Sequence, residues 1–290
     1  MGVGDDCARV RVAPGMSLAA TTDMLVEGRH FPPGVRPRAL GHKALAVNLS
    51  DLAACGATPR WITLALAIKE ADAAWLGEFS AGLFALAERH GVDLVGGDTV
   101  RSALLTVSIT ALGEVPAGAA LSRAGARPGD DLWVSGELGG AALGLAHPEI
   151  AEAAKRLHEP EPRVALGERL RGLAHAAIDV SDGLTGDLGH ILERSGVSAT
   201  VRYEEIPKSS AFARFKDLER DCVLSGGDDY ELAFTVPSQK RSAVDALSKE
   251  LKLKLTRIGA IEAGPCKLAV LGADGKPMSH RGGFDHFAPR

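Results

Sequence analysis

Apolar residues recur with two different periods along the chain, and Gly and Pro separate the segments. Alternation of apolar and polar residues predicts short strands, whereas apolar residues three and four apart predict amphipathic helices. In the first half the predicted strands are 9–12, 18–22, 61–68, 92–95 and 104–112, and the predicted helices are 37–56 and 72–91.

The second half continues the same mixture after a stretch rich in Ala, Gly and Pro at 113–129. Its predicted strands are 131–135, 177–180, 230–236 and a terminal pair, and its predicted helices are 141–146, 163–173, 184–194 and 238–251. Each half combines strands with helices, so the pattern predicts an α/β or α+β protein of two domains. We place the boundaries at 1–115 and 116–290.

Composition and charge exclude several classes of protein. Hydrophobic residues make up 46% of the chain and charged residues 24%, as in globular proteins. The net charge of −4, with both signs well mixed, and an aromatic content of 4% disfavour a nucleic-acid partner. Charge-free apolar stretches such as 102–113 are shorter than the ~20 residues of a membrane-spanning helix. No membrane association is expected.

The N-terminal sequence MGVGDDCARV carries two aspartates where a signal peptide would have its basic and apolar regions. The cysteines are isolated and have no CxxC spacing; they are Cys7, Cys55, Cys222 and Cys266. This usage is typical of reduced, buried thiols in a cytoplasmic protein.

Many aspartates lie at the ends of apolar strands or beside glycines. Asp23 ends one predicted strand, Asp98 follows LVGG, and Asp179 ends AAID. Asn48 and Asp51, three residues apart, share one face of a predicted helix. Each motif alone also fits a turn or a helix cap. Carboxylates gathered at strand ends repel one another unless cations lie between them. Oxygen ligands without His or Cys favour Mg²⁺, which usually binds together with phosphates, so the pattern predicts a nucleotide-phosphate site.

The common phosphate-binding and catalytic motifs do not occur. Gly275-Lys276 is followed by Pro277, which excludes a P-loop. The segment GELGG at 136–140 has the wrong spacing for a dinucleotide-binding loop and favours tight helix packing. A nucleotide would therefore be held largely through metal ions.

Several specific motifs resemble the thiamine-monophosphate kinase family, which belongs to the ATP-binding superfamily of aminoimidazole ribonucleotide synthetase. The resemblance spans essentially the whole chain in order. The matching segments are GDDCA (4–8), TTDMLVEGRHF (21–31), KALAVNLSDLAACGA (43–57), LVGGDTVRS (94–102), LSRAGARPGD (121–130), AIDVSDGLTGDLGHI (177–191), LSGGDDYELAFTVP (224–237) and GGFDHF (282–287).

The resemblance implies a fold, an activity and an assembly. The implied fold has two α/β domains with the active site in the cleft between them, and a homodimer whose N-terminal-domain strands form a shared barrel. The implied activity is direct in-line transfer of a phosphoryl group from ATP to thiamine monophosphate, with several Mg²⁺ ions, giving thiamine diphosphate. The apolar strands of the first half, which would be poor exposed edges, also favour a dimer.

The resemblance also implies roles for individual residues of this chain. The implied Mg²⁺ ligands are Asp6, Thr21, Thr22, Asp23, Asp51, Asp98, Asp179 and Asp182. The implied ATP contacts are Gly97, Asp98, Arg123 and Ser181, and the implied thiamine phosphate contacts are His30, Asp228 and Phe284. Of these, the expected catalytic residues are Asp51, Asp98 and Arg123.

The chain departs from the family pattern in three places. It begins almost at GDD, where relatives usually have a short preceding segment with a helix. Asp228 stands where Glu is common, and Phe284 stands where Tyr is frequent. Two alternative functions stay open: another ATP-using enzyme of the superfamily with a different acceptor, and a non-catalytic binder of thiamine phosphates or Mg-nucleotide.

Overall fold

A computed structural model describes residue 4 and residues 6–283 of the chain. The chain forms two compact units. The first comprises Met1–Ala120 together with His158–Val164, and the second comprises Leu121–Leu157 and Ala165–Arg290. The expected mixed α/β fold is confirmed, while the exact boundaries 1–115 and 116–290 stay a prediction.

The first unit is one mixed sheet with two long helices. Its strands are β1 (Met16–Val26), β2 (Thr58–Ile68), β3 (Asp93–Arg101) and β4 (Thr106–Pro116), and its helices are α1 (Pro37–Ala54) and α2 (Ala73–His90). The strand order is β1-β4-β2-β3; only β2 and β3 run parallel to each other. The two parallel strands are joined through α2, as parallel neighbours require a crossover.

Helix α1 is the centre of the first unit. It packs against β1 and β4 on one side and against α2 on the other. Leu45, Leu49 and Leu52 are fully buried on it, and even Asn48 is 0% exposed. A helix that is buried nearly all round places its few polar side chains against its neighbours, where each needs a hydrogen-bond partner.

The second unit is built on a larger mixed sheet. Its strands are β5 (Asp130–Ser135), β6 (Ala176–Asp179), β7 (Ser198–Arg202), β8 (Leu232–Pro237), β9 (Leu255–Glu262) and β10 (Leu268–Leu271). Its helices are α3 (Gly140–Ala146), α4 (Ala151–His158), α5 (Val164–Leu170), α6 (Leu184–Ser195), α7 (Lys216–Ser225) and α8 (Arg241–Leu251). The strand order is β10-β7-β9-β5-β8-β6, so β6 is an edge strand. Its core includes Leu132, Ile178, Leu188 and Val223.

The proline-containing segment at 158–164 returns to the first unit. Arg89 on α2 pairs with Glu161 at 2.8 Å, and His42 on α1 lies 2.8 Å from the carbonyl oxygen of Pro160. Long-range contacts of this kind leave no local pattern.

Several predicted elements were wrong or absent. Residues 9–12 form no strand; Ala13 N–H instead donates to the Glu114 side chain at 2.7 Å. Strands β2 and β4 are interior strands, paired on both sides within the unit, so their apolar character gives no support to a dimer. Helices α4 and α7 and strand β7 were missed.

The cysteines differ from expectation as well. All four lie in the described part of the chain and form no disulfide, but only Cys222 is buried. No helix of the described residues has the length and apolar character that crossing a bilayer would need.

Candidate active site

Strand β1 and helix α1 bring four of the polar residues of the first unit together. The Thr21 hydroxyl donates a short hydrogen bond to Asp51 Oδ2. One turn earlier on α1, Asn48 Oδ1 accepts from the backbone N–H of Asp23 at 3.1 Å, and its Nδ2 donates to Ala44 O at 3.0 Å. The shared helix face predicted for Asn48 and Asp51 therefore lies against β1.

Alternation along β1 separates Thr22 from these residues. Thr22 is exposed, and its hydroxyl lies 2.8 Å from that of Thr110 on β4. Because successive side chains of a strand point to opposite faces, Thr22 lies on the face away from Asp51. Asp6 is exposed and precedes the first strand.

Asp98 lies on a different edge of the sheet. It is exposed on β3, opposite Ala65 of β2. Strands β4 and β2 separate β3 from β1, so three strand spacings, roughly 14 Å, lie between the backbones that carry Asp98 and Asp23. Position 97 requires glycine for steric reasons, because a Cβ there would lie 2.0 Å from the Leu64 carbonyl oxygen.

In the second unit, the predicted residues follow the edge strand β6. Asp179 is its last residue and is 3% exposed. The turn that follows is fixed by Asp187 on α6, whose Oδ2 accepts from the backbone N–H groups of Ser181 at 3.0 Å and Asp182 at 3.1 Å. Burial, and then the charge of Asp182, raise the pKa of Asp187 to about 7.

This arrangement differs from a simple helix cap. The N-cap residue of α6 is Gly183, and no side chain caps it. Asp187, inside the helix, instead accepts from the backbone N–H groups of the two residues that precede the N-cap. The interpretation that residues 179–183 cap α6 was therefore wrong.

Arg123 lies near this turn. It is exposed, its carbonyl oxygen accepts from the Ser195 hydroxyl at 3.1 Å, and its positive charge lowers the pKa of Asp187, against the larger effect of burial. The same hydroxyl accepts from Gly125 N–H at 3.1 Å and Ala126 N–H at 3.2 Å, which fixes the loop that carries Arg123.

Asp228 lies beside the same turn, because its backbone N–H donates to Ser181 O at 2.8 Å. Its φ angle is +67°, a left-handed conformation that Asp and Asn adopt more readily than most residues. The Tyr230 hydroxyl donates to Asp228 Oδ1 at 3.0 Å. The chain thus has a local reason for Asp at this position, where Glu would be more strained.

His30 and Phe284 are the remaining predicted substrate residues. His30 follows β1 in a turn, and its Nδ1 accepts from the backbone N–H of Val26 at 3.0 Å. Nδ1 therefore carries no proton in this bond, and the neutral ring presents its N–H at Nε2. Phe284 lies outside the described residues.

The donor set fits Mg²⁺ in its chemistry. The predicted ligands offer carboxylate and hydroxyl oxygens, which Mg²⁺ prefers. Among residue 4 and residues 6–283, no three His, Cys, Asp or Glu side chains form a metal site by themselves.

Comparisons with known proteins identify the family of the chain. Residues 4–115 match the N-terminal domain of AIR synthase related proteins, and residues 127–270 match their C-terminal domain. The chain is 45% identical over 300 residues to a thiamine-monophosphate kinase of Salmonella typhimurium, covering 99% of this chain and 92% of the relative. The chain belongs to the thiamine-monophosphate kinase family.

Solved structures support the membership of this family. A thiamine-monophosphate kinase from Stenotrophomonas maltophilia superposes with a TM-score of 0.89 at 46% identity, covering 96% of this chain and 92% of that chain. A structure of AaThiL complexed with AMPPCP and TMP superposes with a TM-score of 0.84 at 31% identity, covering 99% and 92%. The family resemblance identified from the motifs and the two-domain α/β fold of the kinase family are confirmed.

Two residues that organise the site received no role from the motifs. Asn48 connects α1 to Asp23, and Asp187 holds the turn of Ser181 and Asp182. A signal exists for each: an amide on an otherwise apolar helix, and an acidic residue in the first turn of α6. Neither signal identifies its partner, which only the fold supplies.

Proposed function

We propose that this chain is an ATP-dependent kinase that phosphorylates thiamine monophosphate to thiamine diphosphate. The observation that supports this most strongly is the full-length similarity to thiamine-monophosphate kinases, one of them described with AMPPCP and TMP. The alternative acceptors of the superfamily and the non-catalytic binder are less well supported, because the similarity to this one kinase extends over almost the entire chain.

Thiamine monophosphate, as the phosphoryl acceptor, needs little general acid–base catalysis. A phosphate monoester has a second pKa near 6, so thiamine monophosphate is largely ionised at neutral pH and its oxygen is already a nucleophile. The barrier is the approach of one anion to another. Mg²⁺, when bound, would neutralise phosphate charge and orient the oxygens for in-line transfer.

We assign distinct tasks to the residues of the chain. In the first unit, Asp23, Asp51 and Thr21 offer oxygen ligands; the Thr21 hydroxyl orients the Asp51 carboxylate, and Asn48 fixes the backbone of Asp23. Asp6, Thr22 and Asp98, and in the second unit Asp179 and Asp182, complete the proposed set of Mg²⁺ ligands.

The proposed phosphate and substrate contacts provide positive charge and hydrogen-bond donors. Arg123 would stabilise negative charge on the ATP phosphates, and Gly97 and Ser181 would contact ATP through closely approaching backbone or hydroxyl groups. His30 would donate from Nε2 to thiamine phosphate, and Asp228 and Phe284 would contact its ring system.

A direct assay tests this proposal. The purified chain is incubated with ATP, MgCl₂ and either thiamine monophosphate, thiamine or no acceptor, and products are separated by chromatography. We expect thiamine diphosphate and ADP in equal amounts only with thiamine monophosphate. ADP release without thiamine diphosphate would favour another acceptor, and binding of both ligands without turnover would favour a non-catalytic binder.

We also propose that the chain is a cytoplasmic homodimer. On β1, Leu18 is 46% and Met24 55% exposed, and both lie on the face of the sheet away from α1. Exposed apolar side chains on one face favour association with a second copy. Four cysteines without a disulfide are expected in a reducing compartment.

Light scattering tests the dimer. We expect the mass of two chains at micromolar concentration and a shift toward one chain in Met24→Glu. Phe84→Glu is the matched control, because Phe84 is 41% exposed on α2 rather than on this face. A monomeric parent protein would contradict the proposal.

A further inference from the structure

The last described residues of the chain lie against the start of helix α6. The Thr185 hydroxyl lies 3.0 Å from Arg281 O and equally 3.0 Å from Leu224 O, and the Ser225 hydroxyl donates to Arg281 O at 3.0 Å. Thr185 is on α6 and Ser225 ends α7. The Ser225 hydroxyl thus donates to the Arg281 carbonyl, and the single Thr185 proton is shared between the carbonyls of Arg281 and Leu224; Thr185 is only 6% exposed.

Two glycines allow the backbones to touch next to these hydrogen bonds. A Cβ on Gly186 would lie 2.6 Å from the Cα of Gly283, and a Cβ on Gly283 would lie 3.0 Å from the Cα of Gly186. The same added atom on Gly283 would lie 3.1 Å from Asp182 O. Gly283 is therefore in backbone contact with the Ser181–Asp182 turn, whose N–H groups donate to Asp187.

The residues that this contact joins have different proposed tasks. On one side is the turn of Ser181 and Asp182, with the backbone N–H of Asp228 bonded to Ser181 O. On the other side is the segment 281–283, which leads directly into Phe284. Ordinary packing of residues 281–283 would not by itself require hydroxyl groups of two helices within 3.0 Å of one carbonyl oxygen and glycine on both sides of the contact.

We infer that Thr185, Gly186 and Ser225 form a clamp on residues 281–283. The clamp positions this segment and the Ser181–Asp182 turn relative to each other for the binding of thiamine phosphate. The three residues are positioning residues, since none is assigned a contact with substrate. This inference rests on the proposed function in naming the ligand, whereas the clamp itself is a property of the fold.

Helix α6 offers a matched pair of substitutions. Gly186→Ala inserts a methyl group into the contact, whereas Gly189→Ala, one turn later on the same helix, meets nothing within 4 Å. Both changes raise helix propensity equally. We expect Gly186→Ala to raise the KM for thiamine monophosphate about tenfold with the KM for ATP nearly unchanged, and Gly189→Ala to change neither.

The hydroxyl of Thr185 provides a second pair. Thr185→Val keeps the shape of the side chain but loses the donor, and Thr185→Ser keeps the donor. A neutral hydrogen bond supports a two- to tenfold effect, so we expect Thr185→Val to raise the KM for thiamine monophosphate by about that factor. Thr185→Ser is expected to restore it.

Hydrogen exchange separates the clamp from the proposed function. We expect the backbone amides of residues 281–283 to exchange faster in Gly186→Ala and Thr185→Val than in Gly189→Ala and Thr185→Ser, whatever reaction the protein performs. Absence of thiamine diphosphate in the parent assay would contradict the proposed function only. Equal exchange in the paired variants, or equal changes in both KM values, would overturn the clamp.

Discussion

The two units support their predicted ligand residues in different ways. In the first unit, Asp23 lies on a regular strand and Asp51 on a regular helix; the Asp51 carboxylate accepts from the Thr21 hydroxyl, and the backbone N–H of Asp23 donates to Asn48 Oδ1. In the second unit, Asp182 lies in a turn, and backbone bonds to Asp187 give that turn its shape.

This difference predicts which substitutions disturb the ligand positions in each unit. A ligand on a helix or strand keeps its position when its own charge is removed, because the element is stabilised by the core. A turn depends on the groups that bond its backbone, so its geometry changes when a residue outside the ligand set is altered. The predictions below test this contrast, from the largest expected effect to the smallest.

Asp51→Asn is expected to abolish most activity without loss of fold. The amide oxygen still accepts the bond from Thr21, but the charge that would attract a metal is lost, so we expect turnover to fall roughly a thousandfold. Glu78→Gln, at an exposed position of α2, is the control. Near-normal turnover of a folded Asp51→Asn protein would refute the metal assignment.

Asp187→Ala is expected to reduce both stability and activity. It removes the acceptor of two backbone N–H groups in a buried place, which costs about 2–3 kcal/mol of unfolding free energy and a similar amount of transition-state stabilisation. The latter corresponds to roughly 30- to 160-fold in kcat/KM. Urea denaturation and steady-state kinetics measure the two quantities.

Asp187→Asn is the companion variant, because it retains one acceptor oxygen and should lie between Ala and the parent. If Asp187→Ala lowered stability but left the activity unchanged, the proposal that Asp187 sets the active geometry of the Ser181–Asp182 turn would be refuted.

Asp228 tests a ligand residue that also has a conformational role. Asp228→Asn keeps a side chain that tolerates the φ angle of +67° and removes the charge, so we expect the KM for thiamine monophosphate to rise about tenfold. The KM for ATP should change little. Asp228→Glu should alter the KM modestly and lower the melting temperature, because Glu fits this backbone conformation less well.

Tyr230→Phe controls for the local hydrogen bond, since it removes only the hydroxyl that donates to Asp228. Equal changes in both KM values for Asp228→Asn would show that Asp228 acts only on the shape of the turn.

The smallest effect on turnover is expected for Asp229, which acts through stability; its carboxyl group accepts from Gly139 N–H at 2.7 Å. Burial raises the pKa of this carboxyl to about 8, above its ordinary value of 3.8. The folded state therefore binds a proton that the unfolded state has released, and the stabilisation is lost as the pH rises from about 4 to about 8.

We expect the unfolding free energy to decrease across this pH range and Asp229→Asn to flatten the slope. Urea denaturation at several pH values measures it. A slope that is the same in both proteins would contradict the raised pKa.

Strong local patterns were sufficient for several elements. Helix α2 begins after Asp72, whose side chain accepts from Ala74 N–H, and ends at Gly91 in a left-handed conformation, as its sequence predicts. Strand β3 was predicted to end at residue 95 but extends through the glycines to Arg101. Its hydrogen bonds to β2 outweigh the low strand propensity of glycine. Helix α7 was missed because five of its ten residues are charged, which hides its apolar face.

The sequence by itself determined the family, the alternation of strands and helices, and the identity of the acidic and glycine residues, because these depend on residue type and local spacing. Only the tertiary structure decided which of those residues meet. It placed Asn48 beside Asp23 and Asp51 beside Thr21, set Asp98 at the far edge of the sheet, and brought Gly186 against Gly283. The physical reason is that hydrogen bonds and backbone contacts between residues 25 to 97 positions apart arise from packing of whole elements, and packing leaves no local signal in either partner.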